Sequence, residues 1–143
     1  MTELFKNETL IISGGLGDIG RAIAVAFAKC GTNIALCDIH NASDAKEFLA
    51  ELSQYKVSST YNQVDVSDAE ATRNWVMNVE EKLGVPGIII ANAATVTFVN
   101  INEITSEQWS KELRVNLDGA FYLTQSATAR LLHHGRSGRV VFI

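Results

Sequence analysis

The sequence predicts an α/β fold, a doubly wound parallel sheet of about five strands with helices on both faces. Three observations lead there. Short apolar runs alternate with segments of helical period along the 143 residues. Several of these runs are almost continuously apolar, as strands covered on both faces are. A glycine-rich stretch, Ser13-Gly14-Gly15-Leu16-Gly17-Asp18-Ile19-Gly20, joins the first run to the first helical segment.

Each element follows in order. Residues 9–12 are a short apolar strand that ends in Ser13-Gly14-Gly15. Asp18 opens a helix with Ile19, Ala22, Ile23, Ala26 and Phe27 at helical spacing, closed by Cys30-Gly31. Residues 33–37 form a second strand, followed by Asp38. Residues 43–54 repeat the helical period through Ala45, Phe48, Leu49 and Leu52, and residues 58–64 are a third, more polar strand. Ser67 with Glu70 makes a capping-box pattern for a helix reaching Leu83 and Gly84. Residues 87–91 are the fourth strand. Residues 105–134 read as one long helix, with Trp109, Leu113, Leu117, Phe121, Leu123 and Leu132 among its apolar positions. Gly135 and Gly138 bracket a turn into a fifth strand, 139–143. Right-handed crossovers connect these strands into one sheet.

Composition limits the function. The chain is 47% hydrophobic with one proline and ten glycines, which supports a single packed domain over residues 1–143. Its net charge of −4 opposes a nucleic acid or an anionic membrane surface as partner. No apolar run approaches the length of a membrane span, and the N-terminal ten residues lack the plan of a signal peptide. Cys30 and Cys37 have neither metal-ligand nor redox-pair spacing, so they read as reduced, buried thiols of a cytoplasmic protein with no metal site. His133 and His134, adjacent near a helix end, and His40, in a loop, read as surface residues. Trp75 and Trp109 lie at helical apolar positions and read as core or interface groups.

The glycine-rich turn carries the chemistry. Phosphates must approach bare backbone there, and the following helix offers unpaired N–H groups and a partial positive charge to a pyrophosphate. Gly14, Gly15, Leu16, Gly17, Asp18, Ile19 and Gly20 are therefore candidate cofactor contacts in a Rossmann-type sheet. Asp38, with Ile39 beside it, stands at the tip of the next strand. Its carboxylate can accept both adenosine-ribose hydroxyls and would repel a 2′-phosphate, which favours NAD over NADP. No lysine or arginine stands in the turn or directly after Asp38 to reverse that preference.

Four motifs in order resemble the N-terminal part of the short-chain dehydrogenase/reductase family. They are residues 13–20, Asp65-Val66, Asn92-Ala93-Ala94, and Val115-Asn116-Leu117 with Gly119 and Phe121. The resemblance implies an oxidoreductase that moves a hydride between a nicotinamide dinucleotide and a small alcohol or carbonyl substrate. It implies that Asp65 and Val66 meet the adenine, that Asn92, Ala93 and Ala94 line the cofactor, and that Asn116 is the catalytic asparagine holding a water of the proton relay. By analogy the long helix implies a homo-oligomer, a dimer or tetramer. The chain departs from the pattern at Asp18, Ala91, Ala94 and Gly87. Asp18 replaces a usual glycine, and its charge opposes a pyrophosphate, while Gly14, Gly17 and Gly20 equally fit the glycine spacing of the family's extended branch.

The family's chemistry also uses a serine and a Tyr-x-x-x-Lys pair, whose positions share a helix face. Tyr55, Tyr61 and Tyr122 are followed four residues later by Ser59, Asp65 and Ser126. The expectation is that the catalytic C-terminal segment is absent from these 143 residues, the doubly wound sheet being incomplete at five strands. A fragment or a premature stop is favoured over a short protein with a binding role. Two other functions stay open, a non-catalytic nucleotide-binding module or degenerate relative, and a methyltransferase with a glycine-rich turn. The latter leaves Asn92 and Asn116 unexplained.

Overall fold

The computed structural model describes residues 5–143. The elements run β1 Thr9–Ser13, α1 Asp18–Ala28, β2 Asn33–Asp38, α2 Ala42–Ser53, β3 Ser59–Gln63, α3 Ala69–Leu83, β4 Ile88–Ala91, α4 Ser106–Leu113, a π-helical turn Arg114–Asp118, α5 Gly119–His133 and β5 Arg139–Phe142. The five strands form a parallel sheet in the order β3-β2-β1-β4-β5. The order reverses between β1 and β4, and at such a switch point the loops at the strand ends part to leave a crevice.

Strand residues alternate between two cores because successive side chains point to opposite faces. Leu10, Ile12, Ile34, Leu36, Ile88 and Ile90 pack with Ala24 and Ala28 of α1 and Phe48 and Leu52 of α2. On the other face Ile11, Ala35, Cys37, Ile89 and Ala91 meet Trp75, Val76 and Val79 of α3 and Leu123, Ala127 and Leu131 of α5. Burial of each large aliphatic side chain contributes about 1.5–3 kcal/mol. The central strands are therefore apolar on both faces, whereas β3, an edge, is Ser-Thr-Tyr-Asn-Gln.

Three expectations need correction. The N-cap of α3 is Asp68, whose carboxylate accepts the Glu70 and Ala71 N–H groups, while Ser67 bonds Asp65 instead. A carboxylate next to a helix N-terminus outcompetes the hydroxyl because it is charged and the helix dipole favours it. The long helix is interrupted, since the Gly119 N–H reaches back to the Arg114 carbonyl and widens one turn around Asn116. Cys37 is buried but Cys30 is only half-buried. Of the two tryptophans read as core or interface, Trp75 is core, and Trp109 is 52% exposed on α4, a helix with no buried residue. Leu117, Phe121 and Leu132 are exposed as well, as are Val140, Val141 and Phe142 of β5. No helix among the described residues is long and apolar enough to cross a membrane.

Candidate functional site

A cleft of about 890 Å³ opens where the C-terminal ends of β1, β2 and β4 meet the residues after β3 and one side of α4. Gly14, Leu16, Gly17, Asp18 and Ile19 form one wall, Asp38 and Ile39 the far end, Asp65 and Val66 a second wall, and Asn92, Ala93 and Ala94 the base. Gly15 and Gly20 are buried behind the turn. The fold thus brings the sequence-predicted residues together around the cleft, Gly15 and Gly20 from behind the turn, while Asn116 stands apart. Asn116 does not line the cleft, although it bonds Thr95, which does.

The glycine turn is built by close backbone approach. Gly14 has φ +63°, and a Cβ there would lie 2.9 Å from Ala93 Cα. A Cβ on Gly20 would strike the Gly14 carbonyl, so α1 can begin directly against the turn only with glycine at this position. Asn92 fastens the turn to β4. Its Nδ2 donates to the carbonyls of Ser13 (3.1 Å) and Gly14 (3.0 Å), and its backbone N–H donates to Ser13 Oγ at 3.1 Å. The Ala93 N–H donates to the same hydroxyl at 3.1 Å. Asn92 is therefore a staple between β1 and β4. Leu16 is held by Arg21, whose Nε donates to its carbonyl at 2.8 Å.

Asp38 already has partners. Leu16 N–H donates to Oδ2 at 3.1 Å, Ile39 N–H to Oδ1 at 2.8 Å, and His40 Nδ1 lies 2.6 Å from Oδ1. The Tyr61 hydroxyl lies 2.5 Å from the His40 carbonyl and 3.2 Å from the Asp38 carbonyl. Burial, and then the nearby Asp38 charge, push the Tyr61 phenol up to about 12. Burial and the same carboxylate raise the Cys37 thiol, which keeps it protonated and unreactive beneath the cleft. Gln63 Nε2 donates to the Ile39 carbonyl at 2.9 Å. Asp65 closes a tight turn by accepting the Ser67 N–H (2.9 Å) and hydroxyl (2.7 Å) on Oδ1.

On the opposite side, Asn116 Oδ1 accepts the Thr95 N–H at 2.8 Å and its Nδ2 donates to the Thr95 carbonyl at 2.9 Å. Glu112, one turn earlier, accepts the Thr97 N–H. The loop after β4 therefore rests on two rungs of one helix face.

Sequence reasoning missed His40 as a partner of Asp38. It also missed Tyr61 and Gln63 as props of the Asp38 loop, Glu112 as a second rung, and Lys111 with Val115 on the cleft wall. Helical spacing held the signal for the last three, since Lys111 and Val115, like Glu112 and Asn116, are four apart. Asp18, Asp38 and Asp65 line the cleft against Lys111 and His40, so its charge is predominantly acidic. No group of three metal-ligating side chains occurs among the described residues.

The family model for short chain dehydrogenases matches residues 8–143. The L-rhamnose 1-dehydrogenase (NADP(+)) of Thermoplasma acidophilum is 30% identical over 139 residues, covering 97% of this chain and 55% of that protein. The L-rhamnose-1-dehydrogenase of Scheffersomyces stipitis is 31% identical over 148 residues, covering 100% of this chain and 57% of its own length. A crystal structure of NAD+-bound xylitol dehydrogenase superposes with a TM-score of 0.91 at 26% identity, over 98% of this chain and 54% of that one. The chain thus spans about half the length of the relatives it matches.

Proposed function

The chain belongs to the short-chain dehydrogenase family, and on that premise we propose that its cleft binds a nicotinamide dinucleotide, NAD in preference to NADP, for hydride transfer to or from a small alcohol or carbonyl compound. The observation that carries this reading is the cradle at Gly14. Positive φ and contact with Ala93 leave room for no side chain, so the turn closes tightly on β4 and Leu16, Gly17, Asp18 and Ile19 line the cleft with the start of α1. Backbone N–H groups of Asp18 and Ile19 in the first turn of α1 would hold the pyrophosphate, Asp38 the adenosine ribose, and Asp65 with Val66 the adenine. A bound nicotinamide supplies the hydride acceptor or donor. Ala93, Ala94 and the Thr95 loop on Asn116 would fix where its ring lies and exclude water from one side.

Asn116 serves in this proposal through its backbone. Its side-chain amide is engaged with Thr95, so the wide turn around it, which disturbs the regular carbonyl ladder, is the place for a relay water. None of the three tyrosines has a lysine four residues on. The 143 residues by themselves therefore bind the dinucleotide without turning it over. In that respect they behave as a nucleotide-binding module, and a homo-oligomer is proposed through the apolar face of α4 and α5.

Calorimetric titration tests the reading. NAD is expected to bind the 143-residue protein with a submillimolar Kd, and Asp38→Ala is expected to weaken it on the order of tenfold, the value of one hydrogen bond to a charged group. Absence of binding at millimolar NAD rejects the proposal.

A further inference from the structure

Asp38 is close to saturated as an acceptor. A carboxylate offers about four lone-pair sites, and three donors stand on this one: Leu16 N–H, Ile39 N–H and His40 Nδ1. Two ribose hydroxyls cannot both be accommodated in what remains. Two of the three donors are backbone groups set by the glycine turn and the end of β2. The third is a side chain, 61% exposed, and so the one able to leave.

The His40 backbone is nevertheless anchored. Tyr61 holds its carbonyl and Gln63 holds that of Ile39, so the edge strand β3 straps the loop and keeps the imidazole tethered beside the carboxylate. His40 also lines the cleft. A phosphate on the ribose 2′ position would meet Asp38 as a like charge. The imidazolium form of His40 donates from both nitrogens, so it would place Nδ1 on Asp38 and Nε2 on that phosphate.

We propose that His40 sets the choice between the two dinucleotides by competing with the adenosine ribose for Asp38: NAD binds with the imidazole displaced, and NADP binds with it in place as a bridge. This inference rests on the dinucleotide reading of the cleft.

The test titrates NAD and NADP separately into the wild-type 143-residue protein and two variants, at fixed pH and salt. His40→Ala removes both competitor and bridge. It is expected to tighten NAD about fivefold, the value of one displaced hydrogen bond, and to weaken NADP by a similar factor, moving the NAD-to-NADP preference by at least tenfold. His40→Gln keeps a neutral donor toward Asp38, so NAD affinity is expected to stay near wild type while NADP weakens. The histidine side chain is exposed and contributes nothing to either core, so unchanged thermal unfolding of both variants is expected to accompany these shifts. A preference within twofold of wild type in His40→Ala, or weaker NAD binding in it, overturns the His40 assignment while wild-type NAD binding leaves the cofactor reading standing. Failure of the wild type to bind either dinucleotide at millimolar concentration removes both.

Discussion

Asn116 gives both ends of its amide to the backbone of Thr95, and this pair of bonds can be weighed against helix preference. Two hydrogen bonds contribute about 2 kcal/mol together, while asparagine in a helical segment costs about 0.6 kcal/mol relative to alanine. Asn116→Ala is therefore expected to lower stability by about 1 kcal/mol net, read as a fall in the urea midpoint. Asn116→Asp, which keeps the acceptor and loses the donor, is expected to fall between the two. An unchanged midpoint in Asn116→Ala would mean that Glu112 alone seats the loop. At this scale the residue types were legible and their partners were not. Asp38 stood visibly at a strand tip, but that its oxygens meet Leu16 and His40 depends on how the glycine turn folds back over β2, which no local spacing records. Asn92 read as a lining residue, yet its amide is engaged in tying β1 to β4.

Helices α3 and α5 lie side by side on one face of the sheet, joined by a charged cluster at the rim. Glu80 on α3 accepts a forked pair of bonds from Arg130 on α5, and His134 Nε2 lies 2.7 Å from its Oε1. The Arg130 hydrogen bonds, opposed by partial burial and aided by His134, pull the Glu80 carboxyl from its ordinary 4.5 to about 2. A carboxyl lowered by folding stabilises the fold above its unfolded value and loses that contribution as pH falls toward the folded one. Wild-type protein is thus expected to lose stability more steeply than Glu80→Gln from pH 4.5 down to about 2, followed by urea unfolding at each pH, so that the two curves converge in acid. A constant gap across that range would deny Glu80 the role. Elements were the most legible level, because apolar periods locate each helix and strand. Boundaries and interruptions were less so. Asp68 and Ser67 are both good caps by type, and only the commitment of Ser67 to Asp65 decides between them. The wide turn at residues 114–118 hides inside a continuous helical pattern, since one extra residue shifts the apolar stripe too little to see against a helix that is exposed on most sides.

The sheet order follows from chain-wide alternation. Two strands, β2 and β3, step one way from β1, β4 and then β5 follow on its other side, and the crevice between them collects residues from both halves of the sheet. That much was legible, because parallel strands joined by right-handed crossovers have few arrangements. A ligand in this crevice touches the β1 turn, the β2 tip and the β4 loop together, so it couples them and stabilises the whole molecule by mass action. At a hundredfold excess over its Kd the gain is about 2.7 kcal/mol, a rise in Tm of roughly 10 °C for a domain of this size. Two glycine substitutions separate the site from general strain. Gly14 (φ +63°) and Gly84 (φ +85°) both hold conformations that disfavour alanine, so Gly14→Ala and Gly84→Ala are each expected to lower the Tm of the free protein. A Cβ at Gly84 meets nothing within 4 Å, whereas at Gly14 it presses on Ala93 in the floor of the cleft. Gly84→Ala is therefore expected to keep the full NAD-dependent rise in Tm and Gly14→Ala to lose it. Equal rises in both variants would place the dinucleotide outside this crevice, because a methyl group at Gly14 must displace Ala93 and with it the floor on which a ligand there would rest.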